Sequence, residues 1–101
     1  MLIWIPVEGS DVKTSKVVPQ LEAKQWALVD FDAGEIQSVK FYNAIDELGV
    51  EWVDFIILAN KFENYLDFMN AGMMVLVVRE EETIEDIMEA FKFKELDEIG
   101  L

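Results

Sequence analysis

The side chains that could do chemistry here are carboxylates, hydroxyls, amides, seven lysine amines and one guanidinium, because the 101-residue chain has no histidine and no cysteine. That removes imidazole and thiolate metal ligands, thiol nucleophiles, disulfides and any Ser-His-Asp triad. Carboxylates are plentiful: 21 Asp and Glu face 8 Lys and Arg, a formal net charge of −13. Nine acids and two lysines fall within residues 80–101, and the densest run is Glu80, Glu81, Glu82, Glu85, Asp86 and Glu89. Such a face can dock a basic partner, drawn in by its field. Acids at a helix N-terminus are also stabilised by the dipole, by about 0.3–1 kcal/mol each, which accounts for the same cluster without a partner. An EF-hand is excluded, since no Asp-x-Asp-x-Asp-Gly loop with a closing Glu is present.

A second set of polar residues follows from strand ends. In open α/β sheets, ligands settle beyond the carboxyl ends of parallel strands, and those ends fall at Glu8, Asn60 and Arg79, with Ser10 and Asp11 on the adjoining loop. Arg79 is the only arginine. Its planar fork suits an anion or a carboxylate, and it can equally offset Glu80 to Glu82 beside it. Two-metal phosphoryl transfer needs several carboxylates converging on one point. Only Glu8 reaches such an end, so no catalytic residue and no metal ligand is assigned. The negative charge repels phosphate backbones, which argues against nucleic acid as a partner. The five glycines are too scattered for a phosphate loop.

The elements that must position these residues can be read from hydrophobic periodicity and turn chemistry. Leu2–Val7 is an apolar run closed by Gly9, a strand buried on both faces. Residues 8–24 are polar and read as a long loop. Residues 26–32 and 35–42 flank Ala33-Gly34, a hairpin signal. Asn43–Leu48 reads as a short helix that Gly49 closes. Residues 52–59 form a second buried strand, and Asn60 then caps a helix whose apolar positions are Phe62, Tyr65, Leu66 and Met69. Gly72 ends it and residues 73–78 make another buried strand, completing a βαβ unit. Thr83 opens the last helix, with Asp86 three residues on and Ile84, Ile87, Met88 and Phe91 facing inward. Met69, Met73, Met74 and Met88 are expected in the core. The sum is one α/β domain over residues 1–101, a mixed five-stranded sheet with an antiparallel hairpin and flanking helices. The longest apolar run, residues 73–78, is far short of the ~20 residues that span a bilayer, and no leader pattern precedes Leu2. A cytoplasmic protein without membrane contact is the expectation.

The order of these motifs resembles the dinitrogenase iron–molybdenum cofactor biosynthesis family. The likeness runs through Ile3-Trp4-Ile5-Pro6-Val7-Glu8-Gly9, Ser15-Lys16-Val17-Val18-Pro19 and Val29-Asp30-Phe31-Asp32-Ala33-Gly34-Glu35-Ile36. It continues through Leu48-Gly49-Val50, Asn70-Ala71-Gly72 and the helix from Thr83 to Phe91, covering about residues 2–96. The resemblance implies a ribonuclease H-like fold and a carrier or accessory role towards the iron–molybdenum cofactor or a precursor. Two departures bear on that role. Family members follow the loop proline with His-Phe-Gly, where the histidine is a candidate ligand, whereas Pro19 here precedes Gln20-Leu21-Glu22. A Gly- and His-rich segment and most of a helix are missing between Tyr42 and Glu51. A neutral amide is a poor ligand for soft iron.

The expectation is therefore a non-enzymatic binding domain with a degenerate cluster site. Its residues are Glu8, Ser10, Asp11, Gln20, Asn60 and Arg79. The alternative is an acidic interaction module that docks a basic protein partner through its last helix. The lost helix should bare apolar sheet surface, which a second copy of the chain would cover as a homodimer. Self-repulsion at −13 also sets a salt response. Raising salt from about 0.01 M to about 0.15 M shortens the screening length from ~30 to ~8 Å, so the melting temperature should rise over that range, as calorimetry would show.

Overall fold

The computed structural model describes residues 1–44 and 52–99. Its organising element is β1 (Leu2–Val7), whose Ile3, Trp4, Ile5 and Val7 are wholly buried. Alternation sends Ile3, Ile5 and Val7 to one face of the sheet and Trp4 to the other. β2 (Gln25–Asp32) lies antiparallel along one edge of β1, and β3 (Glu35–Tyr42) lies antiparallel outside β2. The two-residue turn between them has positive φ at both positions, Ala33 at 52° and Gly34 at 78°. This is the mirror-image turn whose twist matches a hairpin.

On the other edge, β4 (Phe55–Leu58) runs parallel to β1, and β5 (Met74–Val77) runs parallel to β4. A sixth strand, β6 (Asp97–Ile99), then pairs antiparallel with β5, giving the order β3-β2-β1-β4-β5-β6. The expected five strands are therefore six. Asp97-Glu98-Ile99 carries two exposed acids and one half-buried apolar residue, too little pattern to announce a strand, and the open edge of β5 recruits it.

Pro6 explains a break in the middle of the sheet. It has no N–H to give to a ladder, and the β1–β4 pairing stops at Trp4 with Ile56. The Pro6 carbonyl accepts instead from Val18, and Val7 bridges Val17. Residues 8–24 are thus less of a free loop than their polarity suggests. Lys16 bridges Thr83, and Gln20–Glu22 forms a single 3-10 turn.

Among the described residues, two α-helices cover the faces. α2 (Ile84–Lys92) buries Ile84, Ile87, Met88 and Ala90 against Ile3, Ile5, Val29 and Ile57. The Thr83 hydroxyl accepts from the Asp86 N–H at 3.2 Å, as its position at the start of the helix predicts. Glu85, Asp86 and Glu89 are exposed. α1 (Leu66–Asn70) is only five residues long, because the turn expected to start at Asn60 is not helical. The Asn60 side chain accepts from Phe62 N–H two residues on, an Asx-type turn rather than a helix cap. Phe62 is 87% exposed and Leu66 51%, so neither belongs to an inner stripe. Gly72, at φ 90°, does close α1, with the Gly72 N–H on Met69 and the Met73 N–H on Phe68.

Tyr65, Phe68, Met69 and Met73 pack on the second face with Trp4, Trp26 and Ile56. Met74 is 46% exposed and is not a core residue. The short helix expected at Asn43–Leu48 lies mostly outside the described residues. Among those residues, no helix is long and apolar enough to cross a membrane.

Candidate functional site

Beyond the carboxyl end of β4, the 3-10 turn and the segment after the strand form a hollow of about 580 Å³ lined by Pro19, Gln20, Leu21, Glu22, Asn60, Phe62, Glu63 and Asn64. Glu63 builds it. One carboxylate oxygen accepts from the Ala59 and Asn60 N–H groups, each at 3.1 Å, and the other accepts from the Gln20 N–H at 2.6 Å. A single side chain thus ties the end of β4 to the turn from the opposite half of the chain. Gln20 answers it: its side-chain amide donates to the Asn64 carbonyl at 2.9 Å. Charge-assisted bonds of this kind are short and about twice as strong as neutral ones.

The walls are unusual for their apolar residues. Leu21 is 101% exposed and Phe62 87%, on either side of the hollow. Neither side chain gains anything from facing water.

The six residues anticipated here divide into groups. Gln20 and Asn60 share the hollow. Asn60 also lines an adjoining hollow of about 560 Å³ that contains Arg79. Glu8, Ser10 and Asp11 line neither. Glu8 receives the Lys16 N–H at 3.3 Å. Asp11 folds onto its own loop, accepting from Lys13 and Thr14 at 2.8 and 3.2 Å, while buried Ser15 accepts from the Asp11 N–H. Those two backbone donors hold the Asp11 carboxyl below its ordinary value. The loop restraint it provides is present above the unfolded carboxyl range and is lost as pH falls through the lowered value.

The Arg79 guanidinium pairs with Asp97 on β6 at 2.8 Å, and its charge also helps to lower the neighbouring Glu81 carboxyl. The Arg79 backbone N–H goes to Glu81 at 2.9 Å. Burial pushes the Glu81 carboxyl up, but hydrogen bonds from the N–H groups of Arg79, Glu81 and Glu80 outweigh it and hold the carboxyl below its ordinary value. Glu80, Glu81, Asp86 and Glu89 do meet, with Glu95, in a shallow hollow of about 330 Å³. Glu82 pairs with Lys16 at 3.5 Å.

Sequence reasoning missed Leu21, Phe62, Glu63 and Asn64. The Asn60-Lys61-Phe62-Glu63 spacing carried a usable signal, an acid three residues after a strand end, but helical periodicity concealed it. Leu21, between Gln20 and Glu22, gave none.

The donor set does not fit a soft iron–sulfur group. The chain supplies no thiolate or imidazole donor, and the thioethers of Met69, Met73 and Met88 are packed in the core clusters. Among the described residues, no group of three Asp or Glu could hold a metal ion, and the oxygens of Glu63 are committed to backbone N–H groups.

No family model matches the chain, and no curated protein matches it. Solved structures do. A candidate dinitrogenase from Methanocaldococcus jannaschii has a TM-score of 0.76 at 24% identity, over 99% of this chain and 95% of that one. A candidate NifB protein of the DUF35 family from Thermotoga has a TM-score of 0.73 at 22% identity, over 96% and 91%. At these identities the likeness establishes a shared fold along nearly the whole of each chain.

The Glu63 clamp can be tested directly. Glu63→Ala removes three charge-assisted acceptor contacts in a half-buried site and should destabilise the domain by about 2–3 kcal/mol. Chemical denaturation measures this, with Gln20 and Asn60 amides exchanging faster than those of β1.

Proposed function

We propose that the chain is a non-enzymatic binding domain on the scaffold of the nitrogenase iron–molybdenum cofactor biosynthesis proteins, with the cluster-ligating position given over to a hydrogen-bonded lock. The order β3-β2-β1-β4-β5, with β2 reversed against both neighbours, supports the ribonuclease H-like description that the resemblance implies. The nitrogenase-related names of two fold neighbours support the accessory role.

The observation that carries the reading is Gln20. It follows Pro19 where the family has its histidine, and both its backbone N–H and its side-chain amide are engaged, with Glu63 and Asn64. Those N–H groups are spent on closing the loop, and the amide oxygen that is left is a neutral, hard donor ill-suited to soft iron. What the hollow offers a partner is the apolar pair Leu21 and Phe62, with Asn60 between the two hollows. Anaerobic reconstitution with ferrous iron and sulfide, followed by visible absorbance, should leave the protein colourless after desalting. A stoichiometric iron centre that survives desalting would overturn the proposal.

A second reading rests on the hollow that Glu80, Glu81, Asp86, Glu89 and Glu95 share. An exposed, single-sign face of that kind suits a basic protein partner, and its association rate would fall steeply with salt. A pull-down compared with one from the Glu80→Gln, Glu85→Gln, Glu89→Gln variant tests it, leaving Glu81 in place because it caps the Arg79 N–H. Partners retained equally by both forms and at high salt would remove this reading.

A further inference from the structure

At the opposite end of the sheet, the amino ends of β4 and β5 and the last turn of α2 enclose a hollow of about 670 Å³. Its lining is mostly carbon: Phe31, Phe55, Met74, Leu76, Phe91 and Leu96. The floor is preformed. Phe91 stands edge-on to Phe31 at 5.5 Å and to Phe55 at 5.0 Å, and Phe31, Leu76 and Leu96 are buried. Met74, half exposed at the mouth, supplies an adaptable wall. Volume and lining are those of a small-molecule site.

The rim carries the opposite charge to the rest of the domain. Lys92 and Lys94 both line the hollow, against one acid, Glu98. The Lys92 stem reaches the β2–β3 turn, its Cε 3.5 Å from where a Cβ on Gly34 would stand. Among the described residues the ion pairs are the Met1 amine with Asp30, Lys16 with Glu82, and Arg79 with Asp97. Neither rim lysine is in an ion pair, in a chain where acids outnumber bases 21 to 8.

Lys94 is also the residue that closes α2. Its φ is 57°, with the Lys94 N–H on Phe91 and the Glu95 N–H on Ala90. That closing position favours glycine. Lys92 alone already serves the negative pole of the helix. A side chain at position 94 is therefore kept against the backbone's preference.

We propose that this hollow binds a small amphipathic anion, with its hydrocarbon body on the Phe31–Phe55–Phe91 floor and a single carboxylate between Lys92 and Lys94. Glu98 across the rim disfavours a second negative group. The recessed floor and the charge of −13 favour a free small molecule over an anionic bilayer, which the rest of the surface repels. The site lies at the far end of the strands from Gln20 and Glu63, so it stands or falls independently of the proposed function.

The full chain is titrated with dodecanoate below its micellar concentration, by calorimetry and methyl NMR. One site is expected, with shifts at the Met74, Leu76 and Leu96 methyls, and with dodecanol bound at least about tenfold more weakly. Lys94→Gly separates function from structure. It relieves the positive φ and should raise the melting temperature while weakening dodecanoate about tenfold. Higher stability with unchanged affinity would overturn the role of Lys94. Equal binding of dodecanol would overturn the anionic head. Absence of saturable binding would overturn the site, whether accompanied by co-sedimentation with phosphatidylglycerol vesicles or by a ligand-free dimer in light scattering with Met74 at its interface.

Discussion

The structure depends on one missing hydrogen bond donor. β1 is buried on both faces and flanked by β2 and β4, yet it contains Pro6, which cannot extend a ladder on the side of β4. The pairing to β4 ends at Trp4, and the chain after β1 turns back to fill the gap, its Val18 N–H on the Pro6 carbonyl and its Val17 bridged to Val7. That return brings Pro19 and Gln20 over the end of β4, within reach of Glu63. The hollow at the carboxyl end is thus a consequence of where the central ladder stops. Strands 1 and 4 part at the point where strand order reverses, the usual location of a ligand site in an open sheet.

Elements that answer to local chemistry could be read from the residues alone. The apolar run of β1, the Ala33-Gly34 turn, Thr83 at the start of α2 and Gly72 at the end of α1 each depend on side chains within a few positions of one another. What could not be read depends on partners far away in sequence. Glu63 would sit well in a helix of the Phe62, Tyr65, Leu66 period, but its carboxylate is drawn to N–H groups on Ala59, Asn60 and Gln20, and the first turn of that helix is lost to the clamp. β6 is a strand because β5 has a free edge, not because Asp97-Glu98-Ile99 favours one. Met74 looks like core by its neighbours Val75 and Leu76 and faces the open hollow instead. For the candidate site, the strand ends were legible and gave Asn60, and the resemblance around Pro19 gave Gln20. Glu8 and Asp11 satisfy their own loop.

Charge is distributed along α2 in the sense its dipole requires. Acids crowd the start, where Glu81 holds the Arg79 and Glu80 N–H groups and Thr83 holds Asp86, and lysines stand at the end. Glu81, through those N–H groups, and Glu82, through Lys16, are therefore structural cement around the β5–α2 turn. The part that remains free for a partner is Glu80, Glu85, Asp86 and Glu89, a smaller and more specific face than composition suggests.

The relation between scaffold and chemistry turns on position 20. A histidine ligand has to keep one ring nitrogen bare and aimed outward, while its other nitrogen is oriented by a neighbour. Gln20 turns its N–H groups inward, the backbone one to Glu63 and the side-chain one to Asn64, which leaves only a neutral amide oxygen, a poor match for soft iron. The loop after Pro19 is thereby closed onto the end of β4 by the polar groups that would otherwise face a ligand, and the outward-facing role passes to the next residue, fully exposed Leu21, with Phe62 opposite. The lock and the apolar shelf sit within a backbone course that is shared with a solved structure at 24% identity.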